Sequence, residues 1–476
     1  MTTSHDDAPD EAPDDPMDLD AFRRNGHAAV DWVADYLATL RDRPVWSPVA
    51  PGDVRRALPA RAPRRPEPFA DMLADLDEIV VPGLTHWQHP GWMAYFPANS
   101  SPPSVLGELV SAGLGVQGML WSTSPAATEV ESTVLDWLVD ELGLPSSWRV
   151  DTGPGGGVIQ MSASDATHTA LVVARTRATI AGAAAEDCVV YASEQAHSSI
   201  EKGARVAGIG HVRLVSTDDA HAMDPVDLSA AVAADRADGL VPMFVCSAVG
   251  TTGTTAVDPV RRIGEIARDH GLWHHVDAAY AGTAMLCPEL RHLQDGLELA
   301  DSYVTNAHKW LFTNFDCSLF WVADRAPLVD TLSIVPPYLR NTASESGEVV
   351  DYRDWHVPLG RRFRALKLWW VLRSFGTDGL RARIREHLAW ARGLTERLEA
   401  DHRFTLVAPT PFALVSVRHA DPRRNTVFLD TMTAHTDLGL TASELDGQRF
   451  LRISLGATWT QQEDVDRLWQ ALDEAA

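Results

Sequence analysis

The stretch MFVCSAVGTTGTTAVDPVRRIGEIARDHGLWHHV, residues 243–276, decides the fold class. Its first six residues are mostly apolar and predict a buried strand, residues 260–270 predict an amphipathic helix, and residues 272–276 predict a second buried strand. Two strands joined by a helix are typical of a βαβ unit, in which the strands run parallel. The stretch therefore predicts an α/β protein.

The same alternation continues on both sides of this unit. Further strands are predicted at Cys188–Ala192, Val212–Val215, Ser302–Thr305 and Leu319–Val322, and a further helix at Val226–Ala237. We expect one domain over residues 91–375, with a mostly parallel sheet flanked by helices. Ligands of such sheets bind at the carboxyl ends of the strands, so functional side chains are expected there.

Three shorter segments flank this domain. Residues 1–16 are acidic and contain several prolines, so we expect a disordered tail. Residues 17–90 predict two amphipathic helices, near 22–40 and 66–80, whose apolar faces could pack on a partner subunit or on their own domain. Residues 376–476 predict a small α+β domain with a long first helix and a closing helix.

Composition excludes several classes of function. The chain has 476 residues, of which 45% are apolar, and its 41 basic and 65 acidic residues give a formal charge of −24. So acidic a surface repels nucleic acid and anionic membranes, and neither is expected as a partner. Without a long apolar run or a secretory signal, the chain is expected to be cytoplasmic, with four free buried cysteines.

Lysine occurs only three times, at Lys202, Lys309 and Lys367. Lys309 follows a predicted strand and precedes the apolar run Trp310–Phe312, surroundings that lower the pKa of an amine and favour covalent chemistry with an aldehyde. The other two lie in polar or Arg-rich helical segments and are expected to be ordinary residues. Lysine chemistry therefore points to Lys309.

Three further signals lie just after predicted strands or a Gly-rich loop. Ser162 and Ser164 follow the Gly-rich loop and begin a helix, which favours an anion pocket. Asp277 needs a cationic partner if it is buried, and His197 offers a flat ring. A metal site is not expected, because the adjacent histidines at 274 and 275 would point to opposite faces of a strand. Together with Lys309, these groups match the needs of pyridoxal phosphate.

Eight motifs extend this hypothesis to a family. They are HPGWMAYFP (89–97), SPAATE (124–129), GGGVIQ (155–160), QAHSS (195–199), HVDAAYAG (275–282), HKW (308–310), NFDCS (314–318) and PLGRRFR (358–364). With them the chain resembles the pyridoxal-phosphate-dependent aromatic-L-amino-acid decarboxylases of the group II amino-acid decarboxylase family, over residues 17–472. The resemblance implies a fold type I enzyme that forms a homodimer, with the N-terminal helices wrapping the partner and the active site at the subunit interface.

The resemblance also implies roles for single residues. Lys309 corresponds to the lysine that binds the cofactor, Asp277 to the acid that pairs with its ring nitrogen, and His197 to the imidazole stacked on its ring. Tyr338 corresponds to a tyrosine on a mobile loop that protonates the α-carbon. The implied cofactor pocket comprises Ser162, Ala163, Ser164, His197, Thr251, Asp277, Ala279, Asn306, His308 and Lys309.

The same resemblance implies a substrate pocket. Its members are Trp87, Phe96, Pro97, Met119 and Gly360. Met119, Gln117 and Ala98 stand where the animal enzymes carry Phe, Ile and Thr, which leaves the side-chain preference open. Gly360 matches the glycine that accompanies indole substrates in plant relatives, so tryptophan is favoured, with phenylalanine, tyrosine, DOPA and 5-hydroxytryptophan as alternatives.

Three other functions compete with this hypothesis. An aromatic aldehyde synthase typically replaces the loop tyrosine by Phe or the stacking histidine by Asn, whereas this chain has Tyr338 and His197. A glutamate or histidine decarboxylase would share the fold. A non-catalytic binding protein on this fold would be expected to lack Lys309 or Asp277, and both are present.

Overall fold

A seven-stranded sheet forms the centre of the computed structural model, which describes residues 14–334 and 349–476. Its strands are β1 Gly156–Gln160, β2 Cys188–Ser193, β3 His211–Val215, β4 Val241–Ala248, β5 Trp273–Asp277, β6 Ser302–Asn306 and β7 Ser318–Val322. The order across the sheet is β1-β7-β6-β5-β4-β2-β3. β7 pairs antiparallel with both of its neighbours, and the other pairs are parallel.

Helices cover both faces of this sheet. In this part of the chain they are Pro102–Leu114, Pro125–Leu142, Ala163–Ile180, Ser199–Val206, Pro225–Ala237, Val260–His270, Ala307–Trp310 and Ala326–Leu332. Along β2, Val190 packs in the same cluster as helix 163–180, whereas its neighbour Val189 packs with helices 225–237 and 260–270. Because both faces are covered, β2, β4, β5, β6 and β7 are buried and largely apolar, which is why the sequence predicts them.

The N-terminal segment contains the helices Leu19–Ala38, Asp53–Ala57 and Phe69–Asp75, the last continued by a π-helical turn at Leu76–Val80. The residues just after the first helix pack on the C-terminal part of the same chain, where the N–H of Val45 donates to the carbonyl oxygen of Thr436 at 2.9 Å. Arg41 donates to both carboxylate oxygens of Asp464, at 2.6 and 3.0 Å. Ala21 is the one buried residue of the first helix, and the helices Asp53–Ala57 and Phe69–Asp75 have none. Packing of these helices on a partner subunit stays a prediction.

The C-terminal part begins with the long helix Ala365–Glu399, which is interrupted at Gly376 (φ 64°). A four-stranded antiparallel sheet follows, in the order β10-β11-β9-β8, from β8 Phe404–Leu406, β9 Leu414–His419, β10 Thr441–Leu445 and β11 Gln448–Ser454. Helices Pro422–Thr433 and Gln462–Ala475 pack on it. The left-handed backbone of Gly376 explains why two helical stretches meet there at an angle.

This architecture confirms the predicted α/β class with a small C-terminal α+β domain. The four cysteines are free and buried, as predicted. Across residues 14–334 and 349–476, every helix is too short or too polar to span a bilayer. The boundaries assigned to the four segments stay predictions.

Candidate active site

A cavity of about 220 Å³ opens at the carboxyl ends of β1, β2, β4, β5 and β6. Its lining residues each follow or end one of these strands, apart from Phe96. They are Phe96, Ser162, Ala163, Ser164, His197, Ser199, Ala248, Gly250, Thr251, Thr252, Asp277, Ala279, Tyr280, Asn306 and Lys309. The place is the one expected for a ligand site of an open α/β sheet.

Lys309 lies in the single helical turn Ala307–Trp310, directly after β6. Its Nζ is 5.2 Å from the centre of the Phe96 ring. Burial lowers the pKa of this amine, Asp277 opposes that shift, and Arg452 adds to it. Because the neutral amine is the nucleophilic form, Lys309 is suited to covalent attack on a carbonyl group.

Asp277 ends β5 and faces the same cavity. One of its carboxylate oxygens, Oδ1, accepts the backbone N–H of Ala279 at 2.9 Å. Within the described part of the chain no hydrogen bond reaches the other oxygen, Oδ2. This oxygen is therefore available to a cationic N–H group of a ligand.

The N-terminus of helix 163–180 forms another wall. Ser162 caps this helix, because its hydroxyl oxygen accepts the N–H of Asp165 at 3.1 Å. Ser162, Ala163 and Ser164 line the cavity at this positive end of the helix dipole. Across from them, the carboxamide oxygen of Asn306 is occupied by the Ser318 hydroxyl at 2.6 Å, which leaves its NH₂ group as a donor. These donors suit a phosphate group.

His197 presents its ring to the cavity. Its Nδ1 accepts the N–H of Ser199 at 3.1 Å, which places the proton of the neutral ring on Nε2. Burial lowers the pKa of His197, partly opposed by Asp277. The imidazole is thus a neutral, oriented flat group.

The donor set fits pyridoxal phosphate. An amine for the aldehyde, a free carboxylate oxygen for the ring nitrogen, a flat imidazole and a helix N-terminus for the phosphate surround one cavity. Each of these groups comes from the end of a different strand, so the sheet itself sets their spacing.

Most of the predicted cofactor residues meet in this cavity, together with Phe96. His308 is the exception. It is buried away from the lining, its Nδ1 accepts the N–H of Cys317 at 3.0 Å, and its ring packs 4.7 Å from Phe315. Its expected help with the phosphate stays a prediction. Tyr338 lies outside the described residues.

Of the predicted substrate residues, Phe96 is the one that lines this cavity. Trp87 stacks on Tyr95, with ring centres 5.7 Å apart. Pro97 follows Phe96 but does not line the cavity. Met119 and Gly360 do not line it either, and near them in sequence the side-chain oxygen of Gln117 accepts the N–H of Arg361 at 2.6 Å. The substrate-binding roles of these residues stay predictions.

The structure adds lining residues that the sequence analysis did not assign, chiefly Ser199, Thr252 and Tyr280. Tyr280 stacks between Phe96, at 4.0 Å, and Trp310, at 4.7 Å between ring centres. Both Ser199 and Tyr280 stand inside motifs quoted above, two and three residues from assigned side chains. Their position just after a strand is the signal that could have identified them.

Comparison with known proteins agrees with this site. Residues 51–420 match the family described as pyridoxal-dependent decarboxylase conserved domain. The chain is 45% identical to a phenylacetaldehyde synthase of Arabidopsis thaliana, over 97% of both chains. It is 44% identical to tryptophan decarboxylase 2 of Oryza sativa subsp. japonica, over 97% of this chain and 95% of the relative.

A solved structure extends the likeness to three dimensions. The crystal structure of Oryza sativa TDC with PLP and tryptamine superposes with a TM-score of 0.94, at 37% identity, over 97% of this chain and 99% of that chain. The fold type I architecture and the pyridoxal phosphate cofactor expected from the sequence are therefore confirmed. The chain belongs to the pyridoxal-dependent decarboxylase family.

Proposed function

We propose that this enzyme decarboxylates aromatic L-amino acids to the corresponding amines, with tryptophan as the favoured substrate. The observation that carries the proposal is the meeting of Lys309, Asp277, His197 and the helix N-terminus at Ser162 in one cavity. The names of the rice relative and the rice structure, a tryptophan decarboxylase and a complex with tryptamine, support the substrate class.

Each residue has a definite task in this reaction. Pyridoxal phosphate, when bound, supplies an electron-withdrawing ring that accepts the electrons released as carbon dioxide leaves. Asp277 would pair with the protonated ring nitrogen, Ser162 and Ser164 would hold the phosphate, and Lys309 would bind the aldehyde. His197 would hold the ring by stacking.

A proton must then reach the α-carbon of the substrate. We assign this step to Tyr338, on the basis of the resemblance, with His197 as a helper. One observation on the described residues supports the helper role of His197. Its Nδ1 accepts the N–H of Ser199, so the proton of the neutral ring lies on Nε2 and is available for donation. Exclusion of water and oxygen from the cavity at this stage would keep the product an amine.

The preference for tryptophan rests on Gly360. A Cβ atom added at this position would lie 3.3 Å from the side-chain nitrogen of Gln117, so a larger residue there would crowd that amide. The resemblance associates glycine at this position with indole substrates. Phenylalanine, tyrosine, DOPA and 5-hydroxytryptophan are the substrates that compete with tryptophan in this proposal.

We further propose a homodimer with the active site at the subunit interface. Apolar residues on helix 102–114 are exposed in the protomer: Leu106 at 42%, Leu109 at 51% and Leu114 at 55%. So are Leu19 and Phe22 of the first helix. Exposed apolar faces of this kind mark protein interfaces. A second subunit could bring its own Met119 and Gly360 to the cavity, and four free thiols suit a cytoplasmic enzyme.

An aromatic aldehyde synthase is the second candidate. It is favoured by the 45% identity to a phenylacetaldehyde synthase. Tyr338 and His197 argue against it, since the resemblance associates Phe or Asn at these positions with the aldehyde branch.

One assay tests the proposal and separates the two candidates. The purified enzyme with pyridoxal phosphate is incubated with tryptophan, phenylalanine, tyrosine, DOPA, 5-hydroxytryptophan, histidine and glutamate. Amine and aldehyde are measured by mass spectrometry and hydrogen peroxide by a coupled peroxidase. Aromatic amine without stoichiometric peroxide, with tryptophan fastest, is the expected result. Aldehyde with peroxide would assign the enzyme to the synthase branch, and turnover of glutamate or histidine alone would overturn the substrate class.

A further inference from the structure

Arg452 connects the small C-terminal sheet to the wall of the cavity. It lies on β11, and only 5% of its surface is exposed. Its Nε donates to the carbonyl oxygen of Gly253 at 3.1 Å, and its Nη2 donates to that of Thr252 at 2.7 Å. Both carbonyls belong to the turn after β4, which carries Thr251 and Thr252 into the cavity. The guanidinium fork therefore holds this turn in place.

The same guanidinium reaches the aromatic wall. Its central carbon lies 5.2 Å from the centre of the Phe96 ring, and Nζ of Lys309 lies at the same distance from that ring. Phe96 is in turn stacked on Tyr280 at 4.0 Å. The guanidinium of Arg452 and the amine of Lys309 thus contact the same aromatic ring.

Arg452 is unusual as a buried cation. Among the described residues no carboxylate lies within ion-pair distance of it, although the chain has an excess of acids. Burial lowers its pKa to about 10. A charge that is buried without a counter-ion is costly, and two backbone carbonyls could be bound by a neutral amide group. The two hydrogen bonds to the backbone carbonyls therefore do not by themselves explain why a charged side chain is buried at position 452.

We propose that Arg452 is a positioning residue of the active site, which clamps the Thr251–Thr252 turn and the Phe96 ring around Lys309 and supplies a fixed positive charge beside the lysine. This inference rests on the proposed function only in taking Lys309 as the residue that binds the cofactor.

The charges around Lys309 agree with this assignment. Asp277 and Arg452 are the charged groups that act on its amine, the first raising its pKa and the second lowering it, beside the larger effect of burial. His197 also faces Lys309 across the cavity, as a neutral ring. Arg452 is therefore the one positive charge that opposes Asp277 at this amine within the described residues.

Two substitutions separate the effect of the Arg452 charge from the effect of its two hydrogen bonds to the Thr252–Gly253 turn. Arg452→Gln keeps a donor for one carbonyl and removes the charge, whereas Arg452→Lys keeps the charge and loses the two-pronged hydrogen bond. Arg449→Gln is the matched control, because Arg449 lies on the same strand, is about half exposed and points to a different contact, Asp430 at 3.9 Å.

The main readout is the visible absorbance of the cofactor bound to Lys309, titrated with pH in the holoenzyme. Loss of a nearby cation favours the protonated form, so Arg452→Gln is expected to raise the titration midpoint by roughly one pH unit. Arg452→Lys is expected to keep the midpoint but to raise the dissociation constant for pyridoxal phosphate by roughly tenfold, because the turn is no longer held. Arg449→Gln should change neither quantity.

An unchanged midpoint in Arg452→Gln would overturn the charge role, and unchanged cofactor affinity in Arg452→Lys would overturn the clamp. If Arg452→Gln does not fold, Arg452→Lys decides the question. A shifted titration midpoint in Arg452→Lys, which keeps the positive charge, would then contradict the charge role. These readouts do not involve an amino-acid substrate. A failure of the proposed substrate class would therefore show in the product assay and leave the absorbance titration intact.

Discussion

Asp258 is a fully buried carboxyl group next to the cavity wall. It accepts the backbone N–H groups of Met223 and Ala248, each at 2.7 Å. Burial raises its pKa from 3.8 to about 6, although these two hydrogen bonds act in the opposite direction. Between these values the folded protein holds a proton that the unfolded chain has lost. The stability contributed by this group is therefore present at about pH 4 and is lost as the pH rises through about 6.

Asp258→Asn removes this titration and tests its direction. We expect the free energy of unfolding of the wild type, taken relative to the variant, to decrease by on the order of 3 kcal/mol between about pH 4 and pH 7. Urea unfolding of both proteins at several pH values in this window gives the difference directly. A difference that stays constant, or that increases with pH, would contradict the raised pKa of Asp258.

Lys309→Ala tests the covalent role of the cavity lysine. The variant is expected to lose turnover and the visible absorbance of bound cofactor while keeping the circular dichroism of the wild type. Lys202→Ala is the matched control, since Lys202 is exposed on helix 199–206 and should leave both properties unchanged. Residual absorbance and turnover in Lys309→Ala would assign the covalent role to another amine.

Tyr338→Phe tests the proton donor. Without the phenol, the α-carbon is no longer protonated efficiently, and reaction with oxygen should divert the product from amine to aldehyde, hydrogen peroxide and ammonia. The amine-to-aldehyde ratio and the peroxide yield measure this change. Clean amine production by the variant would show that the donor is a different group, with His197 the next to be tested.

The residues of the candidate site were predictable because their signals are local. Lys309, Asp277 and His197 each follow a predicted strand, and the carboxyl ends of parallel strands meet. Lys367 shows the opposite case. Its Arg-rich surroundings suggested an ordinary residue, but its side chain is completely buried and its Nζ pairs with Glu108 at 3.0 Å. Its burial depends on a helix that is distant in sequence, which no local pattern records.

At the scale of elements, the burial of Lys367 follows from a close crossing of two helices. Helix 102–114 meets helix 365–399 at Gly107, where a Cβ atom would lie 2.7 Å from Cα of Lys367. The absence of a side chain at Gly107 allows the two backbones to approach, and the approach encloses Lys367 beside Glu108. Helix 102–114 also supports the residues after Lys309, since the hydroxyl of Ser101 donates to the carbonyl oxygen of Phe312 at 2.6 Å.

Gly107→Ala should therefore destabilise the protein, although alanine favours helices. The added methyl group meets backbone rather than a flexible side chain, so we expect a loss of about 1–3 kcal/mol in the free energy of unfolding. Gly113→Ala in the same helix is the control, because nothing lies within 4 Å of its added Cβ. It should be neutral or stabilising by up to about 1 kcal/mol. Equal effects of the two substitutions in chemical denaturation would contradict the close crossing.

Elements were predictable where burial made them apolar on both faces. β2, β4, β5, β6 and β7 are of this kind, and each was predicted to within two residues at either end. β1, Gly156–Gln160, was not assigned as a strand, because its glycines suggest a loop and its strand conformation depends on pairing with β7. β10 and helix Pro422–Thr433 were also missed, since their partners lie within the small sheet.

At the scale of the whole molecule, the protomer exposes apolar side chains on several elements. They include Leu106, Leu109 and Leu114 on helix 102–114, Leu19 and Phe22 on the first helix, and Leu359 beside Gly360. The cavity, by contrast, has only Phe96 among the predicted substrate residues. The homodimer proposed above would explain both observations, because a second copy of the chain would cover these apolar side chains and complete the substrate pocket.

Leu109→Asp tests this explanation. A carboxylate buried in the interface without a partner should raise the dimer dissociation constant at least roughly tenfold, seen as a shift toward monomer in sedimentation velocity, with loss of activity at the same protein concentrations. Val226→Asp is the control, since Val226 is 76% exposed and lies on a different helix, 225–237. Should the two variants sediment alike, helix 102–114 is not the interface. Should Leu109→Asp be monomeric and fully active, the cavity of one protomer is sufficient for the reaction.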